Sequence, residues 1–242
     1  LRVELERRMA RWNHLYQQAV IQAGSHLAVL RRSAQVQAVD LEGHELSERV
    51  DVNLWTQGGY VEIVERSQAL LSQLERGMEH NPTRALQQIL SHDLPALREE
   101  FTDLVHQARM AVLSSQLRIN IADLVVQSLE AQHFVFSEGH YDAEDMRRAY
   151  SASLKNLAGE EVVIQVHPRG ADSLENDLHI ISLDRSQSTE YVFRKRFLEI
   201  QNNLNESGLV VEQAREVRLA ANRPGRPRLS KPLPAPRTLA QP

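Results

Sequence analysis

Apolar or small residues recur from the first turns of the chain at Leu5, Met9, Trp12, Tyr16, Ala19, Ala23, Leu27, Leu30 and Ala34, spaced 4, 3, 4, 3, 4, 4, 3 and 4 apart. Arg, Glu and Gln fill most of the remaining positions, so the spacing predicts one long amphipathic helix to about Asp40, with Gly43 as a stop. Glu45 to Trp55 alternates like a strand at Val50, Val52 and Leu54, yet Leu46 to Val50 also reads as a helical turn. That stretch is expected to be irregular or helical, up to the break at Gly58-Gly59. A second helix is expected over Tyr60–Glu79, on Ile63, Val64, Leu70, Leu71, Leu74 and Met78. Asn81-Pro82-Thr83 then restarts the chain as an N-cap with proline in the first helical turn, and a short helix follows over Arg84–Ser91.

Pro95 opens the most regular pattern of all. Leu97, Phe101, Leu104, Ala108, Ala111, Ser115, Ile119, Ala122, Val126 and Leu129 again follow a 3–4 rhythm. A helix of about 35 residues, roughly 50 Å long, is expected. Large residues alternate with Ala and Ser along it, which lets a neighbouring helix approach closely and suits coiled-coil or bundle packing. Leu97, Phe101, Leu104, Ala108, Ala111, Ile119 and Val126 form the expected self-association seam. The plainest use of the same stripe is a helical hairpin packing on itself.

From Gln132 the period shortens to two. Phe134-Val-Phe-Ser-Glu reads as a strand, Asp142 as the cap of a helix through about Leu157, and Gly159 as its end. Two β-branched runs, Glu161–His167 and Leu178–Asp184, are joined by a polar loop, which is the pattern of a hairpin. A helix over Ser188–Asn205 and a strand from Leu209 complete the order strand, helix, strand, strand, helix, strand. The fold class expected is therefore α+β: an N-terminal helical hairpin or coiled-coil-like region, a small ferredoxin-like (βαββαβ) sandwich and a disordered tail. The corresponding domains are residues 1–131, 132–216 and 217–242. Leu129–Phe136 also echoes Leu204–Val211, each a helix end turning into a strand, with His133 and Gly208 at the position where a left-handed residue ends the helix.

Charge sharpens the last boundary. The net charge is −4, but residues 218–242 carry six cations and no acid, which leaves −10 for the residues before them. Six of the nine prolines also lie between Pro224 and Pro242. Such a segment buries too little apolar surface to offset its ordering entropy. Arg223-Pro-Gly-Arg-Pro-Arg resembles the core of an AT-hook, an extended strip whose arginines enter the narrow minor groove of A·T-rich DNA. Gly225, Arg226 and Pro227 match that core, whereas Pro224 stands where its first central arginine belongs. The resemblance implies DNA contact through Arg223, Gly225, Arg226, Pro227, Arg228 and Lys231. Lys231-Pro-Leu-Pro-Ala-Pro-Arg alternatively suits an aromatic-lined, proline-recognising partner, and a plain solubilising linker is the simplest role.

The chain has no cysteine, which removes thiol catalysis, disulfides and cysteine-held metals. Phosphate-binding glycine loops, His-Glu-x-x-His and Gly-x-Ser-x-Gly are absent as well. His167 and His179, with Asp172, Glu175 and Asp177 between them, could build an oxygen-rich cation site, but the spacing is not that of a calcium loop and a solvated acidic loop is expected. Arg147, Arg148, Arg194, Lys195 and Arg196 suggest a basic patch shared by two helices, and Phe134 and Phe136 read as core. No window approaches a membrane span, and Leu1 to Arg8 lacks the apolar core of a signal peptide, so a cytoplasmic protein is expected. The helical pattern already running at Leu1 suggests the C-terminal part of a longer chain.

These observations lead to the expectation of a non-enzymatic scaffolding or interaction protein that assembles with itself or another helical protein and needs no cofactor. A nucleic-acid-binding accessory protein using the tail, and an enzyme with an unrecognised site, are the alternatives.

Overall fold

A computed structural model describes residues 2–40, 42–76, 83–170, 173–182 and 190–209. It is mixed helix and sheet and forms two compact units, Leu1–Leu113 with Gly170–Leu174, and Ser114–Arg169 with Glu175–Pro242. The division falls inside the longest helix, whereas the sequence pattern places it where that helix ends.

The first unit starts with α1 (Arg2–Arg32), shorter than its apolar stripe suggests. Ser33 ends it, its hydroxyl donating to the Val29 carbonyl at 2.9 Å. Ala34, taken in sequence as one more helical position, instead leads into β1 (Gln35–Val39), which pairs antiparallel with β2 (Glu45–Asp51). Val36 lies opposite Val50, and Ala38 and Val50 are buried, so a period of two wins once a partner strand exists. Asp51 then caps the short α2 (Val52–Trp55), accepting the Leu54 amide hydrogen at 2.9 Å. Gly59 opens α3 (Gly59–Arg76), and a Cβ there would stand 2.9 Å from Leu104 Cδ2.

Antiparallel packing of α1 on α3 is fixed at both ends. Tyr16 donates to the Leu74 carbonyl at 3.0 Å and Tyr60 to the Leu30 carbonyl at 2.5 Å. Next come α4 (Thr83–Gln88), a π-helical turn (Ile89–Asp93) and α5 (Leu94–Glu130) without a break. The sequence reads a short helix and a new start at Pro95. The chain instead passes through one widened turn, in which the Leu94 amide bonds the Ile89 carbonyl. Proline at 95 has no N–H for Ser91 and its ring crowds that carbonyl, and a wider turn relieves both problems.

The second unit consists of the end of α5, an antiparallel sheet in the order β3 (Phe134–Tyr141), β4 (Tyr150–Asn156), β5 (Glu161–Pro168), β6 (Asn176–Ser182), and α6 (Glu190–Glu206). The helix expected over Asp142–Leu157 is therefore wrong. Ala152 and Leu154, two positions apart, are both buried against Ile164 and Val162, while Leu157 is fully exposed. Asp142 and Asp145, read as helix-capping residues, build a tight connection containing Ala143 and Glu144 at φ 52° and 60°. The described strands thus run as a simple meander with no parallel pair, in place of the βαββαβ order.

Ala122, Val125 and Leu129 of α5 and Ile200 and Leu204 of α6 cover one face of this sheet. Both helices end on the expected left-handed residue, His133 at φ 67° and Gly208 at φ 82°. Leu209 packs against the same core, but the rest of the strand expected there lies outside the described residues, as do the tail expected to be disordered and its DNA-binding candidates.

Candidate functional site

The expected self-association seam is largely occupied within the chain. Leu97 packs with Leu30 and Ile63, Phe101 and Leu104 pack beside them, and Ala108 is fully buried with Ala38, Val50 and Val52. Val126 packs on the sheet core of the second unit, and Ala111 and Ile119 are half-buried. Such a stripe in sequence announces burial without saying by what.

The same stripe on α1 behaves differently along its length. Ala19, Ala23, Leu27 and Leu30 are at most 3% exposed, whereas Leu5 and Met9 are both 58% exposed. Trp12 stacks on Tyr16 with centroids 5.2 Å apart and marks the change. The first turns carry ion pairs of both orientations, Arg2 with Glu6 and Arg8 with Glu4, each at 3.1 Å.

The basic patch does not assemble. Arg196 points inward, Lys195 pairs with Glu199 at 3.9 Å, and Arg147 and Arg148 belong to a turn and not to a helix. Arg147 forks onto Asp145 at 2.8 and 2.7 Å, and these hydrogen bonds are the main reason the Asp145 carboxyl is pulled down to about 2. Arg148 adds a looser pair to Asp142 at 3.5 Å. Phe134 is core as expected, while Phe136 is 43% exposed on the edge strand.

Alternation along β3 to β6 gives the second sheet face a mixed lining, polar for the most part but including Val135, Val163 and Ile181. His140, Ser151, Gln165 and His179 form one row across all four strands. His167 lies opposite Asp177 and diagonal to His179, and the two imidazoles approach to 5.1 Å between centroids at 44°. Burial, and then the neighbouring His179, push the His167 pKa below its ordinary value. The acidic loop, expected to be solvated, is engaged by Arg169, which bonds Asp177 at 2.7 Å and Glu175 at 3.3 Å; Asp172 lies outside the described residues.

Three further features escaped the sequence reading. Asp40, Glu42 and His44 converge at the tip of the β1–β2 hairpin, their ligand atoms all within 4.8 Å. Asp40 already accepts the His44 amide at 2.7 Å and its ring nitrogen at 3.1 Å, so the cluster is accounted for as a turn lock. A polar groove of about 360 Å³ lies between the ends of α5 and α6, lined by Ser128, Gln132, Glu199, Asn203 and Glu206 among others. Finally, Arg118 is 1% exposed with no acid in ion-pair range among the described residues; it bonds Ser114 Oγ at 2.9 Å and the Met146 carbonyl at 2.8 Å, and its Nε has no partner.

No described helix is long and apolar enough to cross a membrane. In comparison with known proteins, no family model, no curated protein and no solved structure matches this chain.

Proposed function

We propose that this chain is a non-enzymatic interaction protein that assembles through the first turns of α1, with a second copy of the same helix as partner. The observation carrying this reading is the contrast along one stripe: Leu5 and Met9 stay 58% exposed while Ala19 and Leu30, in phase with them, are fully buried. Three unsupported turns are marginal as an isolated helix in water, so a contact along Leu5, Met9 and Trp12 stabilises both the turns and the assembly. The 4–3–4 spacing is that of helices packed knobs into holes, and the mixed charges on the flanks let two copies approach without like-charge repulsion. Because the α5 seam is largely occupied by the chain's own elements, assembly is assigned to α1 in its place.

Light scattering on the size-fractionated chain tests this. A dimer that dissociates on dilution is expected, and Leu5→Glu with Met9→Glu shifts it to monomer while the melting temperature of the folded body stays within a few degrees. A unmodified chain that stays monomeric at high micromolar concentration overturns the reading.

A further inference from the structure

We propose that His167 and His179 form a two-histidine site for a zinc-class transition-metal dication on the open face of the four-stranded sheet, with water completing the coordination. The argument is geometric. Residues diagonal across an antiparallel pair stand farther apart than direct partners, yet these two rings lean to a centroid separation of 5.1 Å. Two imidazoles bound through nitrogen to one tetrahedral ion, at 2.0–2.1 Å each, hold their centroids about 5 Å apart. The spacing is that of a two-histidine chelate.

The chemistry of the surroundings agrees. Neither ring makes a side-chain hydrogen bond to any described residue, so both pairs of nitrogens are available. Asp177, the direct partner of His167, is held by Arg169 at 2.7 Å, which leaves water to complete the coordination. Imidazole selects zinc, nickel or cobalt over calcium or magnesium. The hairpin-tip cluster of Asp40, Glu42 and His44 is the rival location within the chain.

Calorimetric titration of the full chain with Zn²⁺ alone, and visible absorption with Co²⁺ alone, reads the site. One ion per chain is expected, with His167→Gln and His179→Gln each weakening binding by at least about tenfold and His140→Gln, on the same face, leaving it unchanged. Imidazole resonances of the unmodified chain give a readout that no folding defect can imitate: Zn²⁺ shifts two histidines together and leaves the other eight of the ten in place. Absence of binding, or binding kept in His167→Gln and lost in His44→Gln, overturns the assignment.

Discussion

The guanidinium of Arg196 on α6 lies over the ring of Phe134, the first residue of β3, with its carbon 4.6 Å from the ring centroid. It also donates from Nε to Gln132 Oε1 at 3.2 Å and from Nη2 to Glu160 Oε2 at 3.4 Å. One side chain thus ties α6 to the end of α5, the start of β3 and the β4–β5 turn. Its charge is compensated by a carboxylate that is itself only 17% exposed. Desolvated contacts of this kind are worth more than their surface equivalents.

Arg196→Ala is therefore expected to cost about 2–4 kcal/mol, because it strips the ring of Phe134 and leaves Glu160 partly buried without its cation. Arg196→Lys keeps the charge and loses the planar fork, for about 1 kcal/mol or more. Urea denaturation of the two variants, combined with Phe134→Leu in a double-mutant cycle, checks this; a coupling energy near zero means the ring and cation are merely adjacent.

Arg118 gives the opposite expectation. It is buried with no carboxylate beside it among the described residues, and its unpartnered Nε adds a second cost. Methionine has a similar length and no charge to desolvate, so Arg118→Met is predicted to leave stability unchanged or to raise it by up to a few kcal/mol. Ser114→Ala, which keeps the cation and removes one of its acceptors, is predicted to lower stability by about 1 kcal/mol. Melting curves of the two variants moving in opposite directions carry the point; a large loss in Arg118→Met means the bond to the Met146 carbonyl outweighs the buried charge.

Gly139 on β3 lies opposite Ala152 of β4. A Cβ at that position runs into the hydroxyl of Tyr150, whose ring packs edge-on against Tyr141 at 5.1 Å. Tyr141 is itself anchored to α5, its hydroxyl 2.8 Å from Ser115 Oγ. Gly139→Ala is predicted to cost about 1–3 kcal/mol by overpacking, and Tyr150→Phe in the same chain to restore part of it by removing the clashing oxygen. Equal stabilities of the alanine variant and the unmodified protein are incompatible with this packing.

Helical periodicity located α1, α3 and α5 because one buried face per helix repeats over many turns. It overran at Ala34, since a residue that small satisfies either period and only pairing with β2 decides. Tyr150 to Asn156 was misread for a related reason: Asp142 and Asp145 look like helix caps until Arg147 engages Asp145 in a turn. The left-handed positions at His133 and Gly208 were legible because each closes the apolar stripe of a helix. What covers each stripe is not a property of spacing, so the occupied α5 seam and the uncovered start of α1 look alike in sequence. The Arg196 node, the orphaned Arg118 and the side-by-side rings of His167 and His179 are long-range or cross-strand arrangements that register alone creates.

His26 supplies the last prediction. It lies on α1 at 5% exposure with Nε2 unpartnered, and burial first, then the nearby charge of Arg98, holds its pKa below the ordinary value. The native state resists taking up a proton that the unfolded chain accepts at about pH 6.5. Stability from this group is full above that pH and falls as the pH drops towards the depressed native pKa, with a slope of at most about 1.4 kcal/mol per pH unit. His167 shifts in the same direction and adds to the loss over an overlapping range. Asp145 does not interfere, because its contribution, tied to a pKa of about 2, disappears only well below pH 4. Denaturation midpoints measured from pH 7.5 to 5 should therefore fall for the unmodified chain and for His167→Gln. They should flatten for His26→Leu, with the double variant flattest of all; a His26→Leu profile parallel to that of the unmodified chain assigns the acid sensitivity to other groups.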